Sequence, residues 1–301
     1  MIKLRELEYL DAIERFKHFG KAAEACHVSQ PTLSGQIIKL EEQLGVTLIE
    51  RHRRNIMLTP AGNQLLVKAR KVLNAAHDLE ITAKTLGDPL SGEMHLGLIP
   101  TLAPYLLPHI MSDLIEGLPR MEFYLHEEQT GDLIEALDKG QLDALILPWL
   151  DDMKEFDAYD LFDEPFVLAV NKNHELAKKK RVKLEDLKGC HVLTLEDGHC
   201  LRDQALGYCF SAGADEDKRF QATSLETLRY MVASGIGITL LPKLAVIEQR
   251  ENSGIRYIPF QQPQPSRRIV LLIRQNYTRV ESVREIVSTI RQTMKKNLKL
   301  S

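Results

Sequence analysis

Apolar residues return every third position at the start of the chain, at Leu4, Leu7, Leu10, Ile13 and Phe16, with charged residues between them. That spacing predicts an amphipathic helix rather than a secretion signal. In KAAEACHVSQPTLSGQIIKLEEQLG, Ala22, Ala23, Ala25 and Cys26 are small enough for close helix contact. His27 and Val28 make a brief turn, Ser29 is placed to cap a new helix with Pro31 in its first turn, and Gly45 to end it. Leu33, Ile37, Leu40 and Leu44 line one face of that helix, while Pro31, Thr32, Ser34, Gly35 and Gln36 gather near its start. Two short helices joined by a tight turn, the second small and polar outside, predict a helix-turn-helix. Residues 48–51 and 56–58 read as two short strands around the basic tip Arg51, His52, Arg53 and Arg54. Such a wing lays cations against phosphates.

Thr59 and Pro60 open a longer helix. From Leu65 the apolar steps alternate four and three through Ala69, Val72, Ala76, Leu79, Ala83 and Leu86. A heptad seam of that length predicts pairing with the same helix of a second copy, along a rod of about 40 Å. Gly, Pro and Ser then cluster in GDPLSGE (87–93), a hinge signal. Beyond it, strand-like runs such as EMHLGLIP, MEFYLHEE, LDALILP, FVLAVNK, HVLTLED, GITLLP and RRIVLLIRQ alternate with helical patterns. The helical ones are LAPYLLPHIMSDLIEG, TGDLIEALDKG, SLETLRYMVASG and RVESVREIVSTIRQTMKKNL. This alternation predicts an α/β architecture.

Composition narrows the picture. The 301 residues leave room for about two domains. With 44% hydrophobic and 27% charged residues, and no run near ~18 apolar positions, the expectation is a cytoplasmic protein with no membrane partner and with free thiols. A net charge of −3 argues against nucleic acid, yet the charge is divided: residues 1–71 hold twelve Lys/Arg against eight Asp/Glu, a surplus of +4 that leaves −7 for the rest. A basic front and an acidic back imply different partners.

The segment FGKAAEACHVSQPTLSGQIIKLEEQLGVTLIERHRRNIMLTPAG resembles the winged helix-turn-helix of LysR-type transcription regulators, although Ile38 stands where many members carry a basic residue. The resemblance implies an all-α winged helix-turn-helix domain (1–58), then a linker and dimerisation helix with hinge (59–91). It further implies an α/β regulatory domain of two Rossmann-like subdomains, arranged like a type II periplasmic binding protein. Those subdomains are expected at 92–163 with 268–301, and at 164–267. By the same analogy Gln30, Pro31, Thr32 and Ser34 meet base edges of double-stranded promoter DNA, and Arg51, Arg53 and Arg54 meet its backbone or minor groove.

Four cysteines remain to be explained. Cys26 among alanines and Cys190 at a strand start read as small buried hydrophobes. Cys190, His191, His199, Cys200 and Cys209 match no familiar zinc spacing, so no metal is expected. Cys200 differs. In EDGHCLRDQALGYCF a turn precedes it and a helical stretch follows, so its sulfur would sit at a helix N-terminus beside His199 and Arg202, where thiolate is favoured. A thiolate attacks peroxide oxygen to give a sulfenic acid, which Cys209, flanked by Tyr208 and Phe210, can resolve. If 200–209 is helical, the two Cα atoms are about 13 Å apart. A disulfide needs about 5.5 Å. Bonding would then demand unwinding, an order-changing switch, which cellular thiol reductants would reverse.

Loops after three strands should converge on a cleft, bringing Thr101, Thr130 and the pair His199–Cys200; for each threonine an ordinary helix cap is the competing reading. Residues 197–217 together with ATSLETLRYMVASGIGITLLP resemble the peroxide-sensing branch of the LysR-type family, over essentially the whole chain. Implied by that resemblance are Cys200 as the peroxide-reacting thiol and Cys209 as the resolving one. Thr101, Thr130, His199 and Asp203 would bind hydrogen peroxide and water, and Arg268 would steady the cysteine, with Arg267 leaving the register open. Also implied are a non-enzymatic activator of antioxidant genes without cofactor, self-association as a dimer and then a dimer of dimers, and RNA polymerase as a partner. Two alternatives stand beside this: a LysR-type regulator of a small metabolite with incidental thiols, and a thiol peroxidase.

Overall fold

The computed structural model describes residues 1–51, 56–85, 88–246 and 254–298. Of the expected wing cations, Arg53 and Arg54 lie outside the described residues, as do the side chain of Arg51 and the seam residue Leu86. Two compact units emerge, residues 1–86 and 87–301.

The first unit holds α1 (Leu4–Phe16), α2 (Phe19–Ala25), α3 (Gln30–Leu44), strands β1 (Ile49–Arg51) and β2 (Ile56–Leu58), and the long α4 (Pro60–Thr85). Local chemistry sets the joints. His18 Nδ1 accepts from the amides of Gly20 and Lys21 and so starts α2; the Ser29 hydroxyl accepts from the Thr32 amide and starts α3, and Gly45 closes it at φ +70. Leu33, Ile37 and Leu40 are buried with Leu10, Ile13, Ala22 and Leu48 in one small core. Where α4 begins, a Cβ on Gly62 would lie 2.2 Å from the Leu48 carbonyl oxygen, so only glycine lets helix and strand meet there. Arg70 anchors α4 to α1 through Asp11 (2.7 Å) and Glu14 (3.2 Å). The heptad seam is divided as a result: Ala69 is buried within the unit, while Val72 and Leu79 stand 48% and 69% exposed.

The second unit runs β3 (Gly92–Leu98), α5 (Ala103–Gly117), β4 (Met121–Glu127), α6 (Thr130–Asp138), β5 (Ala144–Pro148) and β6 (Phe156–Asn171). It continues with β7 (His191–Leu195), α7 (Cys200–Ser211), β8 (Asp215–Ala222), α8 (Leu225–Ala233) and β9 (Thr239–Pro242). The series closes with β10 (Ile255–Pro259), β11 (Ser266–Arg274) and α9 (Val280–Leu298).

Six strands lie in the order β10-β6-β11-β5-β3-β4, with β9 also on β6. Strands β3, β4 and β5 are parallel, as βαβ crossovers require. Strand β6 is shared: its leading half pairs with β11 and its trailing half with β9 and β10. Two hydrophobic cores form accordingly. One gathers β3, α5, β5, β11 and α9; the other gathers the second half of β6 with β7, α7, α8 and β9. Strands β8 and β10 and the first half of β6 were not expected from the hydrophobic pattern, because DEDKRFQA and FDAYDLFDE carry charge on strands half open to water.

Candidate redox-active thiol site

Helix α7 opens at Cys200, with His199 as its N-cap. The preceding loop is pressed onto the start of α6. Gly198 holds φ +97, and a Cβ there would come within 2.3 Å of the Gln129 side chain, the residue that caps α6. This contact brings Thr130 beside the Cys200 sulfur. The helix-cap reading of the threonines does not survive: the cap positions are Leu102 and Gln129, and neither helix takes a side-chain cap from Thr101 or Thr130. Instead Thr101 is buried and its hydroxyl accepts from Arg267 Nη1 at 3.3 Å. The Thr130 hydroxyl is buried next to the sulfur and makes no conventional hydrogen bond. A buried hydroxyl that faces only a sulfur keeps hydrogen-bonding capacity for something small and polar.

The arginine at the site is Arg267, which corrects the expectation for Arg268. Arg267 is wholly buried, donates through Nε to Glu164 Oε2 (2.8 Å) and through Nη2 to the Thr101 carbonyl (3.1 Å), and its charge favours the Cys200 thiolate. Side chains alternate across a strand, so Arg268 faces the other way. It is 48% exposed, lies over the Trp149 ring at 5.1 Å and approaches Asp160 at 3.6 Å. Glu164 also accepts the Leu244 amide at 2.9 Å, so the carboxylate that holds Arg267 is itself held. Neither Glu164 nor Gln129 was singled out from the sequence; the signal for Glu164 is a carboxylate in LFDEPF opposite an arginine one strand away.

Two further expectations change. Asp203 is 79% exposed and turned to Arg202 (3.4 Å), at the helix surface rather than in the buried cluster. Arg202 is spent on Glu216 (3.0 Å) and Asp197 (3.0 Å) and does not serve the sulfur. Burial raises the Cys200 pKa, and the Thr130 hydroxyl, Arg267 and the Leu201 amide only partly oppose it, so the resting sulfur is a thiol and not the thiolate that a helix terminus alone would give. His199 is buried, which lowers its pKa and keeps the imidazole neutral.

Nine residues on, Cys209 is a free thiol in an apolar pocket, its pKa pushed up to about 12 by burial. The two cysteines belong to different cores: Cys200 packs into the first, while Leu201, Ala205 and Cys209 pack into the second. Continuous helix separates the two Cα atoms by about 13 Å. Tyr208 tethers this end of α7 to β11, donating its hydroxyl to the Ser266 carbonyl at 3.0 Å. Among the described residues no cluster of His, Cys, Asp and Glu has the geometry to hold a metal ion. Among the described residues, no helix is long and apolar enough to cross a membrane.

On the other unit, Gln30, Pro31 and Thr32 are exposed on the first turn of α3 and Ser34 is half-buried beside them. Thr32 shares its hydroxyl with Ser29 at 2.8 Å, so it is partly engaged in capping.

Residues 4–63 match the bacterial regulatory helix-turn-helix protein, lysR family, and residues 87–295 match the LysR substrate binding domain. The chain is 50% identical over 293 residues to a hydrogen peroxide-inducible genes activator from Pectobacterium carotovorum, covering 97% of each. It is likewise 50% identical to the DNA-binding transcriptional dual regulator OxyR of Escherichia coli, covering 97% of this chain and 96% of that one. A full-length OxyR variant from Pseudomonas aeruginosa superposes with a TM-score of 0.76 at 35% identity, over 97% of this chain and 95% of the other.

Proposed function

The chain belongs to the LysR family of bacterial regulators, among its OxyR-type members, and from that premise we propose that it is a DNA-binding transcription regulator switched by hydrogen peroxide at Cys200. The observation that carries the reading is the placement of Cys200 and Cys209 at two ends of one helix, in two separate cores. Peroxide enters against the Cys200 sulfur, where the Thr130 and Thr101 hydroxyls, neutral His199 and Arg267 offer hydrogen bonds. The thiolate attacks one oxygen, the O–O bond breaks, and hydroxide leaves and takes up a proton to become water. Arg267 stabilises the sulfur while it is charged. Cys209 gives up its proton and its thiolate attacks the sulfenic sulfur; the S–O bond breaks, and hydroxide leaves with that proton as a second water, giving a Cys200–Cys209 disulfide. Because the helix cannot span that bond, α7 unwinds and Cys209 leaves its pocket. Cellular thiols reduce the bond and the helix reforms.

The DNA-reading surface in this proposal is the first turn of α3, with Gln30, Pro31, Thr32 and Ser34 toward base edges and the wing arginines Arg51, Arg53 and Arg54 toward phosphates. A cytoplasmic homo-oligomer built on α4 presents two such surfaces to promoter DNA, as a dimer and then a dimer of dimers, and RNA polymerase is the downstream partner. The charged, acidic regulatory half carries the switch and the basic front carries the address. The decisive experiment is thiol mapping by mass spectrometry after a stoichiometric peroxide pulse, with promoter footprinting on the same samples. The expected result is a Cys200–Cys209 linkage and an altered footprint in the wild-type chain, and neither in Cys200→Ser. A normal peroxide response in Cys200→Ser ends the proposal.

A further inference from the structure

Cys190 is a thiol that the switch described above leaves unused. It is free and half-buried, and it packs against the same apolar core that encloses Cys209. The backbone sets this neighbourhood. At the end of α7 the Ala214 amide donates to the Cys209 carbonyl (3.0 Å), and the next amide, that of Asp215, donates to the Cys190 carbonyl (3.1 Å). Strands β7 and β8 begin side by side at this point, with His191 opposite Asp215. Cys190 and Ala214, one residue earlier on each strand, are therefore lateral neighbours about 5 Å apart. The Cys209 thiol is near enough to Cys190 to feel its charge. Cys200 stands at the far end of α7, in the other core.

Resting on the peroxide-switch reading, we infer that Cys190 is a relay thiol that takes the disulfide from the buried pair and carries it to the surface. In this step the Cys190 thiolate attacks the Cys209 sulfur of the Cys200–Cys209 bond. The 190–209 bond forms, the 200–209 bond breaks, and Cys200 leaves as thiolate and takes up the proton that Cys190 gave up. No electrons enter or leave the chain. The direction follows from the fold. A 200–209 bond holds α7 unwound, whereas a 190–209 bond closes with Cys209 back in its own pocket and the helix reformed. Exchange therefore recovers helical hydrogen bonds and apolar burial. In the product one partner, Cys190, is half-buried where Cys200 is buried, which gives a small thiol the shorter approach.

The test uses the full-length chain, a stoichiometric peroxide pulse without reductant, alkylation at successive times and mass mapping of linked peptides. The expected course is early Cys200–Cys209, then growth of Cys190–Cys209 at its expense, with Cys200 becoming alkylated. In Cys190→Ser the 200–209 bond persists, and glutathione reduces it at least about threefold more slowly than in the wild type. In Cys200→Ser no 190–209 bond forms. If Cys190 stays alkylated throughout while Cys200–Cys209 forms and persists, the relay is wrong and the switch stands. A 190–209 bond formed in Cys200→Ser also overturns the relay, since exchange would not be its source. If the 200–209 bond never appears in the wild type, switch and relay fall together.

Discussion

At the scale of single residues, the site is governed by burial. A sulfur at a helix N-terminus reads as activated, but Cys200 is sealed in an apolar core and desolvation of the thiolate outweighs every group that favours it. Its pKa is raised above the ordinary 9.0, so the neutral thiol dominates at physiological pH. The sign for reactivity follows. Only the thiolate attacks peroxide, and its fraction grows about tenfold per pH unit below the pKa. In Cys209→Ser, which isolates the first step, the stopped-flow rate with peroxide is expected to climb through pH 6 to 8 without levelling before about pH 9. A plateau near pH 7 would show that the resting thiol is far more acidic than its surroundings dictate. The same scale shows what a linear reading misses. Parity along β11 decides whether Arg267 or Arg268 points inward, and parity is set by the partner strand, which the residues RR alone do not reveal. Likewise Arg202 is two residues from Cys200 in sequence, yet Glu216 on β8 and Asp197 in the loop before α7 draw it away.

At the scale of elements, α7 is the moving part and its attachments set its switching energy. Tyr208 holds the second half of the helix through the Ser266 carbonyl and packs edge-on against Phe166 at 6.1 Å. Tyr208→Phe removes the hydroxyl and keeps the ring. The helical, reduced form should lose about 1 kcal/mol, while the unwound form, in which this tether is already broken, loses nothing. The Cys200–Cys209 disulfide then becomes relatively more stable, and in a Cys190→Ser background, where no exchange can follow, its midpoint should fall by about 20 mV in a glutathione redox titration. An unchanged midpoint, or a rise, would mean that the tether survives oxidation. Elements with strong local punctuation were legible from sequence: Ser29, Pro31 and Gly45 bracket α3, and Thr59 with Pro60 opens α4, as the structure has them. Strand β8 was not, because its ladder with β7 is satisfied by backbone while charges break the apolar alternation, Asp215, Lys218 and Arg219 being exposed and Glu216 and Asp217 buried in ion pairs with Arg202 and Arg219. The spacing of Cys200 and Cys209 was legible because it depends only on helical rise. The walls around Cys200 come from four separate segments, and no local pattern announces their meeting.

For the whole molecule, the apolar seam on α4 has two fates. Its first residues serve the unit's own core, where Ala69 is buried and Arg70 is clamped by Asp11 and Glu14. Val72 and Leu79 remain exposed in the single chain, as a coiled-coil seam is until a second helix covers it. Val72→Glu with Leu79→Glu is expected to halve the sedimenting mass and weaken promoter binding more than tenfold, by removing one of two reading heads from each complex. The thermal midpoint of the monomeric fold should stay within about 2 °C, since neither residue is part of a core. An unchanged mass would assign the association to another surface.

Strand β6 lends its leading half to one core and its trailing half to the other. The regulatory half of the chain is therefore two lobes threaded on a common ribbon, whose ladder with β11 slips by one residue between Ile269 and Val270. Repacking at α7 must travel as shear and torsion along that ribbon, so the trace that an oxidant leaves is a change of pitch.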